Sequence, residues 1–238
     1  MRIMGYHAAI FGIVLMSAPI VACAKDLIVA GRSAQNVFRN EGVPKLLQAA
    51  IHKDVLEAER LLADGVNVNA MGDGGVTPLL WMLVKHDIAA MKMLLDLGAD
   101  PNRYAHDGVG PAVWLAAGSG QKGALQVLLE HGGDPNLAFG NDSPLMMAIG
   151  DSYLDCAQLL LQHGADINFS EGPESALSQT MVHVRFSDAV WVLNHGYTHD
   201  LVMAQRMLAI KEPRLGQKKL KEQALEIVNR LLVAQQKQ

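Results

Sequence analysis

The residues best suited to chemistry recur at regular intervals along this chain. Asp100, Asp134 and Asp166 each stand two residues after a glycine, in Gly98-Ala99-Asp100-Pro101-Asn102, Gly132-Gly133-Asp134-Pro135-Asn136 and Gly164-Ala165-Asp166-Ile167-Asn168. Paired carboxylates can serve as general acid and base, but such a pair must converge on one bond. A set translated along the chain gives every copy the same local task, hydrogen bonding within a turn. His131, His163 and His195 precede glycines in the same way. Zinc needs nitrogen ligands at about 2 Å, whereas neighbouring helical units pack roughly 10 Å apart, so these histidines are expected at helix ends rather than around a metal. Cys156, between Leu154 and Leu159, reads as a buried, inert thiol with no base beside it. No phosphate loop, zinc-hydrolase motif or nucleophile elbow occurs, and no metal or cofactor is expected. An enzymatic alternative would need His183, Asp188, His195 and His199 to gather in the C-terminal region.

The elements that must carry these residues follow from the glycines. Gly65, Gly98, Gly132, Gly164 and Gly196 are 33, 34, 32 and 32 residues apart. Twenty-one residues before each comes an opening signal: Thr77-Pro78-Leu79 and Ser143-Pro144-Leu145 in full, and Pro111-Ala112-Val113, Ser175-Ala176-Leu177 and Pro44-Lys45-Leu46 in weaker form. Thr77 can cap a helix through its hydroxyl while Pro78 occupies the first helical position. This predicts an inner helix over Leu79–Val84. A turn at His86-Asp87 then leads to an outer helix over Ile88–Leu97, with Ile88, Met91, Leu94 and Leu95 at helical spacing. Gly98 follows the helix end, where left-handed backbone costs little. Ala49, Ala50, Ala116 and Ala117 permit close helix contact, whereas Met82 and Leu83 imply local widening.

With Thr-Pro-Leu openings, Leu-Leu-x-x-Gly-Ala-Asp-Pro-Asn closings and this period, the chain resembles the ankyrin-repeat family over about residues 43–200. The resemblance implies an all-α solenoid, an ankyrin-repeat stack of about five repeats with short β-hairpin-like fingers and terminal helical caps. In such a stack each helix pair buries its apolar edge against the next. Residues 25–42, with Leu27, Ile28, Val29, Val37 and Phe38, form an expected N-terminal cap. Residues 201–238 form the C-terminal one, through helices over Leu201–Ile210, capped by Asp200, and Lys218–Gln235.

Half of the residues are apolar and aromatics are few, which suits a helical core of Leu, Ala, Met and Val. A formal charge of -4 without a long basic tract argues against a nucleic-acid surface. Residues 1–24 have the order of a secretory signal peptide: Arg2, an apolar run over 8–21, then Ala22-Cys23-Ala24. Cleavage after Ala24 would leave a soluble protein beginning at Lys25. Alternatively, Ile20-Val21-Ala22-Cys23 resembles a bacterial lipobox, and Cys23 would carry a lipid anchor.

The resemblance implies an open clamp, non-enzymatic, whose fingers and inner helices meet another protein. The variable positions that would do so are Asp73, Trp81, Tyr104, His106, Asp107, Trp114, Phe139, Asn141 and Met147, with Gly72, Leu80, Lys85, Asp142 and Met146 beside them. Trp81 and Trp114 are either groove anchors or packing residues that replace the family's usual histidine with apolar bulk. The expected partner is a protein of the bacterial envelope, bound by a chain that is monomeric when free. The expected role is either inhibition of a secreted toxic enzyme or support of an envelope enzyme's assembly.

Overall fold

The computed structural model describes residues 28–29, 31–104, 108–172 and 174–237. The proposed signal segment, Cys23, Lys25 and Leu27 lie outside the described residues. The side chains of Ile28 and Val29 are likewise outside the description. The chain divides into two units, one ending at Val109 and the other beginning at Gly110.

The first unit opens with a minimal hairpin, β1 (Ile28–Val29) against β2 (Arg32–Ser33), followed by a single helical turn, α1 (Ala34–Val37). Ser33 accepts from the Asn36 N–H and starts that turn, and Ala34, Val37 and Phe38 are buried. Two helix pairs follow: α2 (Gly42–His52) with α3 (Val55–Ala63), and α4 (Pro78–Val84) with α5 (Ile88–Asp96). Each outer helix has an aspartate cap, Asp54 accepting from Glu57 N–H and Asp87 from Ala90 N–H. The expected opening of α4 is present: Thr77 Oγ1 accepts from the Leu80 N–H at 3.2 Å, with Pro78 at the first position. Met82 and Leu83, bulky where small residues were expected, are fully buried.

The second unit contains three helix pairs: α6 (Ala112–Gly118) with α7 (Lys122–Glu130), α8 (Pro144–Gly150) with α9 (Leu154–Gln162), and α10 (Ala176–Val182) with α11 (Phe186–Asn194). A two-residue pairing of β3 (Ser170–Glu171) with β4 (Glu174–Ser175) precedes α10. Ser143 caps α8 as Thr77 caps α4, and Ser175 with Ser178 forms a reciprocal capping box on α10. Inner helices pack on inner helices, α6 on α8 and α8 on α10. The unit ends with α12 (Leu201–Ile210), capped by Asp200, and α13 (Lys218–Gln235), which packs on both α11 and α12. Both units are thus stacks of short helix pairs, the all-helical solenoid design.

A tie between successive closings, which the sequence reading did not single out, fixes the register within each unit. Asn136 donates from Nδ2 to the Gly164 carbonyl at 3.0 Å and accepts at Oδ1 from the Asp166 N–H at 2.8 Å. Asn69 does the same to Gly98 and Asp100. Asn168 repeats it with Gly196 and Thr198 in the degenerate last copy.

Candidate functional site

The periodic carboxylates sit in turns. Asp100, Asp134 and Asp166 each accept at Oδ1 from the N–H two residues on, at 2.9, 2.8 and 2.8 Å. The periodic histidines close outer helices. His131 Nδ1 lies 2.7 Å from the Val127 carbonyl. His195 Nδ1 lies 2.7 Å from the Trp191 carbonyl, its ring stacks on that indole, and its Nε2 meets Gln158 Oε1. Among the described residues no group of three or more His, Cys, Asp or Glu is placed to hold a metal. Cys156 is fully buried, and that burial, reinforced by Asp155, pushes its thiol up to about 11, away from the thiolate a nucleophile needs.

The C-terminal residues of the enzymatic alternative have separate duties. Asp188 is buried and accepts from Ser152 Oγ at 2.6 Å, from Arg185 Nε at 2.8 Å and from Ser187 Oγ at 3.0 Å. Arg185 also donates to the carbonyls of Ile149 and Gly150, so the group locks the start of α11 to the turn before α9. His199 rests edge-on to Tyr197, and His183 ends α10. Among the described residues no hydrogen bond, ion pair or ring contact joins these four residues to one another, so the gathering that this alternative needs is not present in that geometry.

The recognition candidates divide by burial. In the first unit, Asp73 is held by Arg32 at 2.7 Å and, more loosely, by Arg39 at 3.9 Å. Trp81 is only 2% exposed, with Phe38 against it edge-to-face at 5.8 Å between ring centres. The hairpin-and-turn segment therefore covers this part of the inner-helix face, a contact that sequence gave no signal for beyond apolar Val37 and Phe38. Tyr104 is half-buried, and His106 and Asp107 lie outside the described residues.

In the second unit, Trp114 is 4% exposed. Its Nε1 donates to the Asp142 carbonyl at 3.0 Å, and its ring meets Phe139 edge-to-face at 5.4 Å. Phe139 and Asp142 pair through their backbones across Gly140 and Asn141, making a finger. Of the two readings of the tryptophans, packing is the one this geometry supports, since neither offers appreciable surface. Trp114 instead fixes the finger that presents half-buried Phe139 and exposed Asn141. Behind the finger, Gln179 donates to Asp142 Oδ1 at 3.1 Å. Met147, on α8, lies over Gly118, where an added Cβ would come within 2.9 Å of its terminal carbon. Gly110 is similarly needed, because a Cβ there would press on Trp114 and Phe139 at 3.0 and 3.1 Å. Gly118, Gly110 and Gln179 are residues that sequence reasoning missed, and only their neighbours reveal their role.

The result is a preformed, mixed apolar and polar edge built from Phe139, Asn141, Asp142, Met147 and Gln179. It holds donors, acceptors and apolar bulk but no activated nucleophile. No curated protein matches the chain. Residues 106–171 match the family model for ankyrin repeats (3 copies). That match is to ankyrin repeats, a family of protein–protein contact modules, and helix pairs of the same design precede and follow it along the chain.

Proposed function

We propose that this chain is an exported envelope protein that binds another protein through the finger and inner-helix edge of its second unit. The observation that supports this reading is the finger itself. The Trp114 bond to the Asp142 carbonyl and the Phe139–Asp142 bridge hold Asn141 in solvent and Phe139 half-exposed before any partner arrives. Preformed loops lose little conformational freedom on binding, and a few apolar side chains then supply the desolvated centre. Phe139 and Met147 are the proposed anchors, with Asn141 as a polar contact. Trp114 is a supporting residue. Asp73 and Tyr104 are secondary candidates on the first unit, with Trp81 as a supporting residue, and His106 and Asp107 remain candidates from sequence alone.

The proposed organisation is a signal peptide over 1–24, an N-terminal cap over 25–42, about five repeats over 43–200 and a helical cap over 201–238. The proposed location is the bacterial periplasm, with Cys23 as the lipid attachment point if cleavage falls before it. Stoichiometric capture of a secreted toxic enzyme is the favoured role because a rigid edge suits tight one-to-one binding. Support of an envelope enzyme's assembly is the second reading.

Affinity capture from a periplasmic extract tests this, comparing the wild-type chain with a Phe139→Ala, Asn141→Ala, Met147→Ala variant whose folding is verified by circular dichroism. The expected result is a stoichiometric partner that the triple variant loses. Equal recovery of that partner by both proteins would overturn the site. The mass of the mature N-terminus decides between a chain starting at Lys25 and one starting at acylated Cys23. An uncleaved chain in the cytoplasm would overturn the location.

A further inference from the structure

The C-terminal end of the sequence is basic although the chain as a whole is acidic. Residues 206–238 hold eight Lys and Arg against three Glu, a surplus of five positive charges, within a chain whose total is -4. Part of that surplus surrounds the loop between α12 and α13. Lys211, Arg214, Lys218 and Lys219 flank it, and none of them has an ion-pair partner among the described residues. The loop is fixed rather than frayed. Lys221 Nζ donates to the carbonyls of Ala209 and Lys211, both at 2.8 Å, closing the end of α12. The Gln217 N–H donates to the Arg214 carbonyl, and Gly216 takes the left-handed backbone that completes the turn.

This pinned turn displays two largely solvent-exposed apolar side chains. Leu215, at its tip, is completely exposed, and Ile210, at the end of α12, is 74% exposed. Ordering a loop around a solvated leucine gains nothing from that leucine in the free protein. We propose that the α12–α13 loop is a docking surface for an anionic lipid bilayer, with Leu215 and Ile210 entering the headgroup layer and the flanking cations meeting lipid phosphates. Complementary charge and isolated apolar tips together select this occupant. A protein partner would need roughly 800 Å² of contiguous surface on this side, which two separate side chains do not provide, whereas interfacial insertion needs only tips and nearby cations. This inference is independent of the finger in the same unit.

Limited trypsin cleavage of the full chain reads the site directly, because Arg214, Lys218 and Lys219 are themselves cleavage points. Vesicles of phosphatidylcholine and phosphatidylglycerol in equal parts are expected to suppress cleavage there, and phosphatidylcholine alone is not. Any insertion of the apolar residues 8–21 would be common to both vesicles and leaves this comparison intact. Leu215→Ser is expected to raise the anionic lipid concentration for half-protection about tenfold, from the lost apolar burial. Lys218→Gln with Lys219→Gln, read at Arg214, is expected to raise it about thirtyfold, roughly fivefold per cation. Thermal unfolding controls for the fold in both variants. Equal protection by the two vesicle types would overturn the proposal. So would protection by soluble polyglutamate that Leu215→Ser leaves unchanged, since that would make the loop a site for acidic polypeptides instead.

Discussion

Asn136 shows how one side chain can set the spacing of a repeat. Its amide reaches the next closing with one donor and one acceptor, at 3.0 and 2.8 Å, and alanine can supply neither. Asn136→Ala is expected to cost about 1–2 kcal/mol in urea unfolding, the sum of two modest solvent-competed bonds. Cys156 makes a prediction with a definite sign. An unfolded thiol ionises near 9, while the buried one is held neutral until about 11. Over that interval the unfolded chain releases a proton that the folded chain retains, so stability is level below about pH 9 and falls as pH rises toward 11. Urea midpoints at pH 8 and pH 10 should therefore differ, and Cys156→Ala should remove the thiol's share of the fall. Peptide mapping after iodoacetamide at pH 8 should find Cys156 unmodified until denaturant is added.

At the scale of elements, caps and close approaches decide which helices form and how tightly they stack. Ser143→Ala removes the hydroxyl that accepts from Met146 N–H and is expected to destabilise by about 1 kcal/mol. Gly133 and Gly164 separate two reasons for glycine. At Gly164 the backbone is left-handed with open space around it, so alanine should cost about 1–2 kcal/mol from backbone strain alone. At Gly133 a Cβ would lie 2.7 Å from Val113 Cγ2 and 2.8 Å from the Leu128 carbonyl oxygen, forcing helices α6 and α7 to shift. Gly133→Ala is expected to be the more damaging of the two in thermal unfolding. The buried Asp188 group joins the turn before α9 to the start of α11, and Asp188→Ala should cost about 3–5 kcal/mol because Arg185 is left without its carboxylate.

For the molecule as a whole, stability in a stack comes from neighbours, so damage should spread from its site rather than abolish the fold at once. Val228, on α13, is fully buried at the C-terminal end of the second unit. Val228→Asp is expected to raise amide hydrogen exchange in α11, α12 and α13 well before it does so in α6 and α7. Uniform acceleration through all the helices of the second unit would show instead that the unit unfolds as one block. The charge asymmetry belongs to the same scale. The basic end and the acidic remainder would be invisible in net charge alone, yet the α12–α13 loop depends on that separation.

Sequence alone determined the helix-pair design, because the glycine period and the Thr-Pro-Leu and Ser-Pro-Leu openings act locally through caps and left-handed turns that need no distant partner. The helices Leu201–Ile210 and Lys218–Gln235 could be placed for the same reason, from apolar spacing and the Asp200 cap. Tertiary structure decided which candidate side chains remained available. Trp81 lies beneath Phe38, Asp73 is taken by Arg32, and Trp114 turns inward to hold the Phe139 finger. These outcomes join residues 28 to 43 positions apart, and a one-dimensional pattern carries no term for how two surfaces that far apart compete for the same space.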